Sequence, residues 1–136
     1  LEPLQEIERK FSKALNPKTD ESTLRELASF GICLPDSYLA FLRRHNGGVI
    51  YHSGDPANHG VHLLTAEDVD FVNGRDDLVA FARIPQVGGY QLAFDPEGRV
   101  IDCFGEFPVI ASDFTDFLKK LTEGAKKSRT KSLYWL

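Results

Sequence analysis

Leu34-Pro35-Asp36-Ser37-Tyr38-Leu39-Ala40-Phe41-Leu42-Arg43-Arg44-His45-Asn46-Gly47-Gly48 reads as a complete helix with both ends written into the sequence. Pro35 suits the first turn, where an N–H has no helical partner anyway. Asp36 places negative charge at the positive end of the helix dipole. Tyr38, Phe41, Leu42 and His45 recur at i, i+3, i+4 and i+7, which gathers them on one face. Arg43 and Arg44 favour the negative end, and Asn46-Gly47-Gly48 supplies left-handed backbone that stops the helix. Tyr38, Phe41 and Leu42 are expected inside, Arg43 and Arg44 outside. His45 reads as a core-edge histidine bonded to backbone, or as a pH-sensitive contact. The stretch has no nucleophile–base pair and no phosphate cradle, so it is a scaffold element.

Outward from this helix the apolar periods divide the chain. Upstream, a helix is expected over residues 3–15 with Leu4, Ile7, Phe11, Ala14 and Leu15 inward, ended by Asn16-Pro17. A second, capped by Asp20 or Ser22, carries Leu24, Leu27, Ala28 and Phe30 and stops at Gly31. Downstream the period shortens to two. Residues 49–52 and 61–64 read as short strands around a polar loop. Thr65 is expected to cap a short helix reaching Val72, ended by Asn73-Gly74. Residues 78–84 read as a central strand, and 90–94 and 100–104 as a hairpin around Asp95-Pro96-Glu97-Gly98, which has type I turn preferences. Val87-Gly88-Gly89 leads into a strand with no lysine after it, so it is a hairpin approach and not a phosphate loop. Ser112 is expected to cap a last helix with Phe114, Phe117, Leu118 and Leu121 inward, closed by Gly124. Helices followed by strands and a final helix predict an α+β fold: one domain over residues 1–124, a central, mainly antiparallel sheet flanked by the N-terminal helices and the C-terminal helix. Residues 125–136 form a basic, aromatic tail.

The chain has 136 residues, 42% of them hydrophobic, with ten Phe and four Tyr, enough for one core. No run approaches the length of a membrane span. No signal-peptide pattern opens the chain, and the absent initiator Met reads as processing or a cloning scar, so a cytoplasmic location is expected. Cys33 and Cys103 form no C-x-x-C and are expected to be buried, reduced thiols. The net charge of −4 is unevenly spread: residues 1–48 carry 7 acidic and 7 basic residues, 49–111 carry 10 and 3, and 112–136 carry 3 and 6. An acidic middle argues against direct nucleic-acid binding, which needs cations to release counterions. It suits docking on a basic protein surface. Asp55, Glu67, Asp68, Asp70, Asp76 and Asp77, with Tyr51 and Phe71 as aromatic anchors, are the candidate partner-binding residues.

Catalytic signals are weak. His52, Asp55, His59 and His62 are proper zinc ligands in kind, but their spacing matches no known motif, and no bound metal or cofactor is expected. Ser53 lies near His52 and Asp55 but has no nucleophile elbow around it.

"LPDSYLAFLRRHNGG" resembles the hallmark of the SUKH superfamily, first described in a yeast cell-wall-assembly regulator. "VGGYQLAFDPEGRVIDCF" is similar to that family's glycine-led hairpin, and "IASDFTDFLKKL" to its closing helix, entered from a strand. The resemblance implies an α+β domain and, in bacteria, most often an immunity protein that neutralises a secreted toxin, frequently a nuclease. The expected function is therefore non-catalytic protein binding to a cognate toxin, with no membrane and no direct nucleic-acid partner. The alternatives are an intracellular scaffold or regulator, and a metal-dependent hydrolase using His52, Asp55, His59 and His62.

Overall fold

Near Gly48 the apolar period changes from that of a helix to that of a strand, and the backbone changes with it. In the computed structural model, which describes residues 2–51, 60–85 and 90–126, the elements are α1 (Pro3–Phe11), α2 (Glu21–Ser29), α3 (Asp36–Leu42), β1 (Gly48–Ile50), β2 (Val61–Leu63), β3 (Asp70–Phe71), β4 (Val79–Ile84), β5 (Tyr90–Phe94), β6 (Val100–Asp102), β7 (Val109–Ala111) and α4 (Phe114–Lys126). The strands form one sheet in the order β1-β2-β4-β5-β6-β7, with β3 also on β4, and every described pairing is antiparallel. This is the expected α+β domain. None of the described helices is long and apolar enough to cross a membrane.

One sheet face carries the main core. Tyr38, Phe41, Phe81, Phe94, Phe114 and Phe117 are all essentially enclosed there. Phe81 and Phe94 stack with centroids 4.0 Å apart, and Phe114 meets Tyr38 edge-on at 4.9 Å. Such offset and T-shaped contacts add to burial. A register shift on β4 helps fill this face. Ala80 pairs with Ala93 and Ala82 with Leu92, so β4 spends one residue more than β5. The bulge re-phases the strand, and Val79, Phe81, Ala82 and Ile84 all join the helix-covered core. The other face has a smaller cluster of Val72, Leu78, Ala80, Ala93 and Ile101, with Cys103 and Phe107 packed against it.

Several element boundaries differ from expectation. The first helix ends at Phe11, and Ser12–Ala14 is a 3₁₀ turn that leaves Ala14 exposed. Leu15 turns extended to bridge Gly48, and Asn16 precedes a proline, which disfavours helix there. β1 stops at Ile50, β2 at Leu63 and β6 at Asp102. The helix expected from Thr65 to Val72 is a single turn, with Asp68 N and Val69 N both donating to Thr65 O. Asp70 and Phe71 then pair with Ala80 and Val79, an edge of β4 that β2 does not cover. A helix of so few residues cannot repay its nucleation, whereas the sheet edge offers partners at once. The last helix is capped by Asp113, not Ser112: Asp113 Oδ1 accepts from Asp116 N at 2.7 Å, and Asp116 Oδ2 accepts from Ser112 N at 2.9 Å. That helix runs through Gly124 to Lys126, because one glycine weakens a helix without breaking it. The hairpin turn is as expected, with Gly98 N donating to Asp95 O at 2.9 Å.

Tyr38, Phe41 and Leu42 are fully buried, and Arg43 and Arg44 exposed. Phe41→Ala removes a ring packed on Tyr38 and Phe114 and is expected to destabilise the fold by about 3–5 kcal/mol, transfer plus cavity. Denaturant unfolding checks this, and a loss below about 1 kcal/mol means the α3 face is not core.

Candidate functional site

The marker stretch does more than end a helix. α3 is finished at Leu42, and the residues after it lock three segments together. Asn46 Oδ1 accepts from Ala66 N at 2.7 Å, and Asn46 Nδ2 donates to Glu67 Oε2 at 3.0 Å. Asn46 N donates to Pro17 O at 2.8 Å. Gly47 has φ +75° and sits so close to the β2–β3 connection that a Cβ would lie 2.5 Å from Leu63 O. Gly48 is pressed against Ala14 O in the same way. Only glycine permits both approaches. Tyr38 Oη donates to Leu64 O at 2.7 Å, with Phe81 O also near at 3.3 Å. The signature residues thus hold the 64–67 turn in place.

That turn forms one wall of a groove of about 500 Å³, opposite the C-terminal half of α2. α2 ends in a Schellman motif: Ile32 N donates to Leu27 O, and Gly31 N to Ala28 O. With Gly31 at φ +79°, the chain reverses so that Ile32 turns inward. Phe30 is left outside, 67% exposed. The floor is apolar, from Leu27, Ile32 and Val69, and Phe30 and Phe71 stand at its sides. Glu26, Glu67 and Asp70 line it, and among the described residues no Lys, Arg or His does. Asn46, first among its hydrogen bonds, holds the Glu67 carboxyl below the usual range. Asp70 Oδ1 accepts from Phe71 N at 2.7 Å.

Of the residues singled out in the sequence, Glu67, Asp70 and Phe71 meet at this groove. Asp76 lies along a shallower hollow that Asp70 and Phe71 also line, and Asp68 is exposed on the turn between. Asp77 is engaged by Arg75, whose guanidinium donates to both carboxylate oxygens at 3.0 Å and lies over the Phe107 ring. Tyr51 is placed elsewhere, packed edge-on against Phe11 at 4.8 Å with its hydroxyl donating to Thr122 Oγ1. Asp55 lies outside the described residues, as do His52, Ser53, His59 and Val87-Gly88-Gly89. His62 lies on β2, opposite Val49 and Arg83. Among the described residues no three His, Cys, Asp or Glu side chains are grouped as metal ligands. Glu26 and Phe30 were not anticipated. Helical periodicity placed Phe30 with the buried residues of α2, and only the adjacent Gly31 signalled the reversal that exposes it.

The thiols are free, as expected, but Cys33 is exposed and Cys103 half-buried. Cys33 follows the α2 reversal and lies at the surface, not buried as expected. Burial, aided by Asp102, pushes the Cys103 thiol up to about 11, so it is not a thiolate at neutral pH. Among the described residues the His45 side chain bonds no backbone group. Its Nε2 meets Glu8 Oε2 at 2.7 Å, where Arg44 Nη2 also donates at 2.7 Å, tying the segment after α3 to α1.

The family model of the SMI1 / KNR4 family (SUKH-1) matches residues 18–120, most of the chain, and takes in the whole marker stretch and the groove. No curated protein matches the sequence.

Two carboxyls give pH tests of opposite sign. Burial opposes the charge of Glu8, but hydrogen bonds from His45 and Arg44 outweigh it and hold the carboxyl below its usual range. The stabilisation is therefore present above the ordinary carboxylate value and lost as pH falls through the lowered one. Glu8→Gln is expected to lose about 1 kcal/mol near neutral pH, with the gap to the parent closing on acidification in thermal melts. Asp102 is 5% exposed, its Oδ1 has no hydrogen-bond partner among the described residues, and burial raises its carboxyl. Its contribution is full below the unfolded value and lost as pH rises through the raised one. Asp102→Leu is expected to stabilise the protein by about 1 kcal/mol at neutral pH and to lose that advantage in acid, as read from urea midpoints.

Proposed function

The chain belongs to the SMI1 / KNR4 family (SUKH-1), and on that premise we propose that it is a non-catalytic protein-binding module that neutralises a cognate bacterial toxin by stoichiometric association. The observation that carries the reading is the unneutralised acid along the 67–76 segment. Glu67, Asp68, Asp70 and Asp76 are exposed and take part in no ion pair among the described residues, whereas Glu8, Glu21, Asp95 and Asp116 each hold a cation. Carboxylates left in this state set up a negative potential that steers a basic partner and speeds encounter. A nuclease cleft, basic because it must hold phosphates, is such a partner. Occluding it needs shape and charge and no chemistry, so the weak nucleophile inventory is no obstacle. The acidic face repels nucleic acid, which leaves the partner's own cations as the target.

Asp68→Lys with Asp76→Lys is expected to slow association with a cognate toxin, sought among the genes beside its own, by at least about tenfold and to flatten its salt dependence. Stopped-flow mixing measures the rates, and thermal melts check that the exposed substitutions leave the fold intact. Co-expression is expected to protect the host, and the two proteins to co-elute at equal stoichiometry. A neighbouring toxin that neither co-elutes with the chain nor is restrained by it overturns the proposal.

A further inference from the structure

The groove between α2 and the β2–β3 turn has the chemistry of a specific seat, and what that seat selects goes beyond a general acidic attraction. Its floor of Leu27, Ile32 and Val69 is already dehydrated in the fold, each of them less than 9% exposed. Phe30, at 67% exposed, is the most exposed of the large hydrophobic residues described. A ring held this far out loses favourable burial unless something covers it. Phe71, half-buried, stands on the facing strand β3. Around these apolar surfaces lie Glu26, Glu67 and Asp70, and among the described residues no cation lines the groove or pairs with them. Three like charges around one opening repel each other, and a cation brought between them relieves that repulsion.

The carboxylates and the backbone beneath Phe30 are also set in advance. Asn46 holds Glu67, the Phe71 amide holds Asp70, and the Schellman reversal at Gly31 fixes the backbone from which Phe30 projects. A preformed site loses little side-chain freedom on binding. Its volume of about 500 Å³ lies in the range of pockets that enclose small groups. The apolar floor argues against a bare metal ion, which needs oxygen ligands close together. The acidic rim argues against an acidic peptide or nucleic acid.

We infer that this groove receives one apolar side chain of a protein partner, flanked in that partner's sequence by lysine or arginine. The apolar side chain fills the space between Phe30 and Phe71, and the flanking cations meet Glu26, Glu67 and Asp70. Phe30 also offers its ring face to an incoming cation. The inference rests on the protein-binding reading above and names which feature of a partner is recognised.

The probe is a fluorescein-labelled peptide, Ser-Lys-Arg-Phe-Lys-Ser, read by anisotropy at low salt and by amide shifts in NMR. Binding is expected with a dissociation constant on the order of 0.1–1 mM, with shifts centred on Phe30, Glu67, Val69 and Phe71. The peptides Ser-Lys-Arg-Ser-Lys-Ser and Ser-Glu-Glu-Phe-Glu-Ser test the apolar and cationic requirements separately, and each is expected to bind at least about tenfold more weakly. Phe30→Ser and Glu67→Gln are expected to weaken the parent peptide about as much. Both sites are exposed, and the glutamine keeps an acceptor for Asn46. Glu97→Gln, outside the groove, is expected to change nothing. Absence of binding, equal binding of the control peptides, or shifts centred elsewhere overturns the inference. So does a toxin complex that forms normally with Phe30→Ser and Glu67→Gln, and that result leaves the toxin-binding reading standing. Peptide binding at the groove without restraint of the neighbouring toxin has the opposite meaning: the seat is real and the toxin is not its partner.

Discussion

The Tyr38 hydroxyl is the constraint on which the arrangement turns. Its ring is enclosed by Phe41, Phe81, Phe94 and Phe114, so no water reaches the phenol from that side. A buried hydroxyl without an acceptor is expensive, and the acceptor it finds is Leu64 O, where β2 leaves β4. Burial alone drives the phenol's pKa upward, so at any physiological pH it remains a donor. The bond fixes how far along the sheet α3 lies. With α3 placed, Asn46 comes opposite Ala66, and Gly47 opposite Leu63 O.

Scaffold and groove are consequently joined within a few residues. The apolar face of α3 builds the core, while the polar segment just after it secures the turn that carries Glu67. Nothing in α3 itself lines the groove. The helix that marks the family touches the groove only through the shape it imposes on its neighbours.

Reading the chain as a string succeeded where a local pattern was also the globally preferred one. α3 was legible because capping, periodicity and charge agreed. The β5–β6 hairpin was legible because Asp95-Pro96-Glu97-Gly98 dictates its own turn. It failed where a distant partner competed with local preference. Residues 65–72 have the look of a short helix, but the open edge of β4 draws Asp70 and Phe71 into a strand. Leu15 leaves its helix for a bridge to Gly48. Phe30 has the spacing of a buried residue, yet the reversal at Gly31 turns the chain and leaves it outside.

The amino-acid sequence by itself determined the α+β class, the family, the inward face of α3 and the excess of acid in the middle of the chain. These follow from short-range periodicity, from turn chemistry and from counting charge. Only the tertiary structure decided which acids share a surface. Glu67 and Asp70 meet Glu26 because α2 packs beside the β2–β3 turn, a juxtaposition of segments about 40 residues apart that no local pattern encodes. Asp77, equally acidic in the string, is neutralised by Arg75, and Tyr51 goes to Phe11 and Thr122. Charge is a property of residues, but a binding surface is a property of their packing.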